Sequence, residues 1–174
     1  MIRQYKPGDE ENIIKLVSLV WPKQSRLDYW EWMNKFCPFG KTLIQVAENN
    51  KEIIGHYAIL PVDIFFNGKN YKSGLAIDAI THPSHRSLKL IYQIAQKTWA
   101  LASTNRMRFI FGFPNNNIWD INKNLMNWKE LSTIKTYKID IGLKSSSISK
   151  DDGTVKIMNE NYFDLRYDRF FEIY

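Results

Sequence analysis

The spacing of apolar positions changes period several times along the chain. Ile2, Gln4 and Lys6 alternate with Arg3 and Tyr5, which predicts a short first strand. Pro7-Gly8-Asp9 is a turn, with Asp9 placed as a helix N-cap. Ile13, Ile14, Leu16, Val17, Leu19 and Val20 follow at helical spacing until Trp21-Pro22 ends the run. A second helix, from about Ser25 or Leu27 to Phe36, carries Tyr29, Trp30, Trp32, Met33 and Phe36 and stops before Pro38-Phe39-Gly40. Aromatics at this spacing belong more often to a core than to a binding platform. Strands are predicted at Leu43 to Glu48 and, after the turn Asn49-Asn50-Lys51, at Ile53 to Phe66 with a bend at Pro61. Asn67-Gly68 is a hairpin signal, so Tyr71 to Thr81 returns antiparallel as the central strand.

A helix from Leu88 to Thr104 follows, then a strand from Arg108 to Phe113 and the turn Pro114-Asn115-Asn116-Asn117. A shorter helix, Ile118 to Met126, leads into strand-like residues from Trp128 to Ile141. This succession predicts a layered α/β or α+β domain. Leu143 to Gly153 is rich in Ser, Lys and Asp. The chain therefore divides into a domain over 1–142, a linker or long loop over 143–159 and a C-terminal helix over 160–174. Tyr162-Phe163-Asp164-Leu165-Arg166-Tyr167 echoes Tyr29-Trp30-Glu31-Trp32-Met33-Asn34. That stretch is either the start of a second, related half of a truncated chain or a helix docked on the first domain.

The rest is organised around residues 75–92. Leu75 to Thr81 is an apolar strand, broken at His82-Pro83 because proline has no amide to donate to a ladder. A short polar turn then opens the long helix. Free amides at a helix start, together with the helix dipole, favour an anion there, and Arg86 and Lys89 add two formal charges. The turn is thus a candidate seat for a phosphate or diphosphate.

Ile80-Thr81-His82-Pro83 followed by Arg86 resembles motif A of the GNAT superfamily of acyl-CoA-dependent N-acyltransferases. In that motif an apolar strand precedes an Arg/Gln-x-x-Gly-x-Gly/Ala turn and a helix. Here Lys89 and Ile91 stand at the two motif glycines, and Ser87 where a third is common. Three further stretches resemble one GNAT branch with uncharacterised and polysaccharide-associated members. They are Tyr29-Trp30-Glu31-Trp32 with Asn34 and Pro38-Phe39-Gly40, Gly55-His56-Tyr57-Ala58-Ile59, and Phe111-Gly112-Phe113-Pro114-Asn115. Over Ile2 to about Ile141, the resemblance implies the GNAT fold, with a mixed central sheet flanked by helices.

The resemblance also implies acetyl-CoA as co-substrate. Its diphosphate would meet the amides of Arg86, Ser87, Leu88, Lys89 and Leu90, and its pantetheine would pair with Ala79, Ile80 and Thr81. A backbone amide of that strand, Thr81 by position, would polarise the thioester carbonyl. Many GNAT enzymes use a tyrosine after the fifth strand to protonate the leaving thiolate. Asn115, Asn117 and Trp119 occupy that neighbourhood here. Asparagine can hydrogen-bond pantetheine but is no acid at neutral pH, and these residues are also good turn and cap formers.

The incoming amine needs a base. Asp78, a carboxylate inside an apolar strand, is the first candidate, since burial raises its pKa toward a useful value; a structural Asp is the other reading. His56 and His82 are the alternatives. The first functional reading is an N-acetyltransferase acting on a small amine, such as an amino sugar, by direct transfer in a ternary complex. The second is a degenerate GNAT domain with a structural or regulatory role.

Composition narrows little further. A net charge of +6 suits any anionic ligand, and no RNA- or DNA-binding signature supports nucleic acid. Cys37 is the single cysteine, no signal peptide opens the chain and no apolar run could span a bilayer, which predicts a cytoplasmic protein with no membrane partner. The scattered His and Cys offer no metal site. Homodimerisation or a second GNAT half is the partner expected besides the amine.

Overall fold

A computed structural model describes residues 1–22 and 27–131. Strand β1 (Ile2–Gln4) leads to helices α1 (Glu10–Val20) and α2 (Leu27–Lys35). Three strands follow, β2 (Leu43–Asn49), β3 (Glu52–Phe66) and β4 (Lys69–Thr81). A one-turn 3₁₀ segment (Pro83–His85) precedes α3 (Leu88–Thr104), and β5 (Ile110–Phe111) and α4 (Asn116–Asn124) complete the described elements. The five strands lie in sequence order, antiparallel from β1 to β4 and parallel between β4 and β5. The sheet is therefore mixed, with helices on both faces.

The two faces have separate cores. On one, Ile13, Leu16 and Val17 of α1 and Trp30 of α2 pack on Ile44, Val46, Ala58 and Ile80. On the other, Ile91, Ile94 and Ala95 of α3 pack on Ala47, Tyr57 and Ile59. Alternation along β3 and β4 puts neighbouring residues on opposite faces, so one helix layer covers each. The expected hairpin turn is present, with Asn67 and Gly68 both at positive φ, 48° and 75°.

Several local expectations are corrected. Asp9 precedes α1 but makes no side-chain cap hydrogen bond. Its carboxylate instead accepts both arms of the Arg3 guanidinium, at 2.7 and 2.9 Å, and the Lys6 amide at 2.9 Å. Burial opposes that charge, but these donors outweigh it and hold the Asp9 carboxyl below its usual range. The fifth strand is two residues long rather than six, from Arg108 to Phe113, because Gly112 onward leaves the ladder. Trp128 to Leu131 is irregular rather than strand. The remainder of that expected strand, the 143–159 linker and the 160–174 helix lie outside the described residues.

Candidate active site

Strand β4 meets β5 at only two positions, Gly74 opposite Ile110 and Leu75 opposite Phe111. Gly74 admits no side chain, since a Cβ would lie 2.3 Å from Ile59 Cγ2. Beyond Leu75 the two strands part, and residues 76–81 of β4 have no strand neighbour on that side among the described residues. Two features account for the parting. Trp128 stacks against Gly112, where a Cβ would come within 3.3 Å of the indole, and Pro114 has no amide to offer a ladder.

The result is a cleft of about 980 Å³ lined by β4 from Leu75 to Thr81. Leu75, Ala76, Ile77, Asp78 and Ala79, in the middle of the sheet, are consequently half-buried rather than buried.

Within this stretch β4 carries a bulge. His56 pairs with Ile80 and Ala58 with Ile77, so Asp78 and Ala79 both face Tyr57. Asp78 takes the left-handed conformation, φ 51°, which aspartate tolerates better than most side chains. His56 sits behind it, fully buried, with Nδ1 3.0 Å from the Asp78 carbonyl oxygen. A carbonyl only accepts, so Nδ1 bears the proton and Nε2 is left as a buried lone pair without a partner among the described residues. Burial keeps His56 neutral by lowering its pKa, with the Asp78 charge opposing in part. Burial raises the Asp78 carboxyl above its usual value, and His56 offsets part of that rise.

At one mouth of the cleft lie Arg86, Ser87 and Leu88. Ser87 caps α3, its Oγ accepting from the Leu90 amide at 3.1 Å, and its carbonyl takes the Ile91 amide. The amides of Leu88 and Lys89 are left without partners among the described residues and point with the helix dipole.

The family model described as "Acetyltransferase (GNAT) domain" matches residues 1–118, two-thirds of the chain. The chain belongs to the GNAT acetyltransferase family. No curated protein sequence matches it. Among solved structures it is similar to glucosamine-6-phosphate N-acetyltransferase from Arabidopsis thaliana, at 13% identity and a TM-score of 0.63 over 80% of this chain and 98% of that one. It is similar to an aminoglycoside 6'-N-acetyltransferase from Acinetobacter haemolyticus, at 12% identity and a TM-score of 0.63 over 81% and 99%. A third, an aminoglycoside N-acetyltransferase in complex with CoA, gives 15% identity and a TM-score of 0.64 over 80% and 93%. At these identities the likeness shows the GNAT fold.

The structure brings together Asp78, Ala79, Ile80, Thr81, Arg86, Ser87, Leu88 and Asn115 around this GNAT cleft. His56 is behind β4 and does not line it. His82 does not line it either; its Nδ1 accepts from the Ser84 amide at 3.1 Å and stands 3.4 Å from His85 Nδ1. Asn115 caps α4, its Oδ1 and carbonyl both accepting from the Ile118 amide. Asn117 falls in the first turn of that helix.

The motif glycine positions are resolved differently at each site. Ile91 is buried in the α3 core, so the helix is anchored there by packing. Lys89 and Leu90 do not line the cleft, and Lys89 is exposed. Lys89→Ala should therefore weaken acetyl-CoA binding only a few-fold, with a deficit that fades as salt rises, as titrations at low and high ionic strength would show.

Among the lining residues that sequence reasoning did not assign to the site are Trp21, Tyr57, Phe113 and Asn122. Asn122 had a readable signal, a polar residue four positions after Ile118 on an otherwise apolar helix face, and it is buried. Tyr57 is buried beside the bulge, and that burial pushes its hydroxyl up to about 12, so it keeps its proton. Among the described residues, no group of His, Cys, Asp and Glu could hold a metal ion, and no helix is long and apolar enough to cross a membrane.

Proposed function

We propose that the protein transfers an acetyl group from acetyl-CoA to a small-molecule amine, directly, within a ternary complex. The observation that carries this reading is the cleft where β4 leaves β5, with an arginine and free helix-start amides at one mouth and a bulged strand along its wall. The residues fit the co-substrate. Arg86 and the amides of Leu88 and Lys89 would hold the diphosphate, and the unpaired edge of Ala79 to Thr81 would take the pantetheine amides. Bound there, acetyl-CoA supplies the activated acetyl group and a thiol leaving group.

The chain's own groups do the rest. Asp78, its carboxyl raised by burial, takes one proton from the ammonium and leaves a nucleophilic amine. The Thr81 amide donates to the acetyl oxygen as negative charge grows on it. The amine nitrogen forms the new C–N bond as the C–S bond breaks, and its second proton goes to sulfur through the Tyr57 hydroxyl. Cys37 is not among the lining residues, so no thiol nucleophile faces the acetyl group there. That single free cysteine also agrees with a cytoplasmic setting.

Initial rates measured against both substrates should give intersecting lines, and acetyl-CoA alone should leave the mass of the protein unchanged. Parallel lines with an acetylated protein would contradict direct transfer.

A further inference from the structure

The two mouths of the cleft differ in chemistry, because the cleft crosses the sheet at the β4–β5 parting. Arg86, Ser87 and Leu88 open on the α3 side, next to the core that holds Ile91, Ile121 and Trp128. Val20, Trp21 and Ile77 line the cleft on the opposite side, where they pack against the α1 core. Leu75 alternates with Ala76 and so shares the face of Ile77. Phe113 belongs to that side too. The missing side chain of Gly112 faces Ala76 and Trp128, so the flanking Phe111 and Phe113 project the other way, their rings 6.0 Å apart and nearly perpendicular.

The far mouth is thus walled by Val20, Trp21, Leu75, Ile77 and Phe113. Among the described lining residues Asp78 is the one carboxylate and Arg86 the one cation. We infer that the acceptor is a primary amine with a single positive charge on an apolar aryl or alkyl body, its ammonium at Asp78 and its body between Trp21 and Phe113. This rests on the transferase reading above.

The same walls argue against two other acceptor types. Each further ammonium of a polycation would be drawn from water with no second carboxylate among the described lining residues to meet it, on a chain already carrying +6. The hydroxyls of an amino sugar would face aliphatic and aromatic walls, where among the described side chains Val20, Trp21, Leu75, Ile77 and Phe113 the indole N–H of Trp21 is the one hydrogen-bonding group. An acceptor phosphate would compete for the arginine that the diphosphate needs.

The test uses the full chain with acetyl-CoA and thiol release as readout. Phenethylamine and tryptamine should exceed kanamycin and glucosamine 6-phosphate in kcat/KM by at least about tenfold. Phe113→Ala removes a ring that is 67% exposed, so folding is not at stake. It should raise KM for tryptamine roughly tenfold while the affinity for acetyl-CoA, measured by calorimetry, stays the same. If acetyl-CoA binds and neither aryl amine is acetylated, if kanamycin or glucosamine 6-phosphate is preferred, or if Phe113→Ala leaves the tryptamine KM unchanged, the inference is overturned and the transferase reading stands. Failure of acetyl-CoA itself to bind overturns both.

Discussion

Asp78→Asn should lower kcat by about 10²–10⁴ while the affinity for acetyl-CoA is held. Asparagine adopts the same left-handed backbone, φ 51°, as readily as aspartate, so the bulge should survive. Only the ability to accept a proton is removed. In the unaltered protein the rate should rise with pH as the carboxyl ionises, on a limb displaced above the ordinary carboxylate value of 3.8 because burial disfavours the charge. That limb should be missing from the Asn variant, and an unchanged pH profile would remove Asp78 as the base.

Stability should move in the opposite sense. The folded carboxyl holds its proton more tightly than the unfolded one, so its contribution is full below 3.8 and is lost as pH rises through the raised value. At neutral pH the Asn variant should therefore melt higher than the parent, a gain set against lost activity.

The second large effect is expected at His56, which never touches the cleft. His56→Phe leaves the Asp78 carbonyl without its donor, at a cost of about 1–3 kcal/mol in a denaturant titration. Freed from this tie, the bulge should lose the placement that aims the Asp78 carboxylate. A fall in kcat on the order of 10- to 100-fold, with KM for acetyl-CoA little altered, is the expected split. His56→Gln keeps an N–H donor and should recover part of the loss.

Two further readouts separate this role from plain packing. Nitrogen NMR should find the proton on Nδ1 with Nε2 bare; a proton on Nε2 would contradict the hydrogen bond to the carbonyl. The pH dependence has a definite sign as well. The unfolded imidazole gains its proton near 6.5, whereas burial lowers the folded value, so stability is present above 6.5 and lost as pH falls from there. The Phe variant should lack that slope.

Much of this architecture is legible in the sequence, because each element is announced by local chemistry. Asn67-Gly68 needs two residues at positive φ and has them, which fixes the β3–β4 hairpin. His82-Pro83 ends β4, and the long helix expected from Leu88 does begin there. Asp78 and Arg86 were visible for a related reason, being charges set against an apolar strand and a helix start.

What could not be read depends on contacts between separate elements. The bulge at Asp78 carries no glycine to signal it, and only the His56–Ile80 and Ala58–Ile77 registers reveal it. The short β5 follows from Trp128 lying on Gly112, a tertiary contact that strand propensity from Arg108 to Phe113 does not encode. Asp9 looked like a cap because caps are local, but the Arg3 guanidinium from the neighbouring strand claimed its carboxylate. Trp21 and Phe113 became walls of one cleft through the same long-range folding.

Calorimetric titration of acetyl-CoA into the protein, repeated with Arg86→Glu, tests the central claim most directly. Saturable heat is expected, with Kd on the order of 1 µM to 1 mM. In the Glu variant binding should be at least about tenfold weaker, a gap that narrows as salt is raised. No heat at millimolar acetyl-CoA, or equal affinity for both proteins, would contradict the assignment of the β4–β5 cleft and its arginine turn as the seat of the co-substrate.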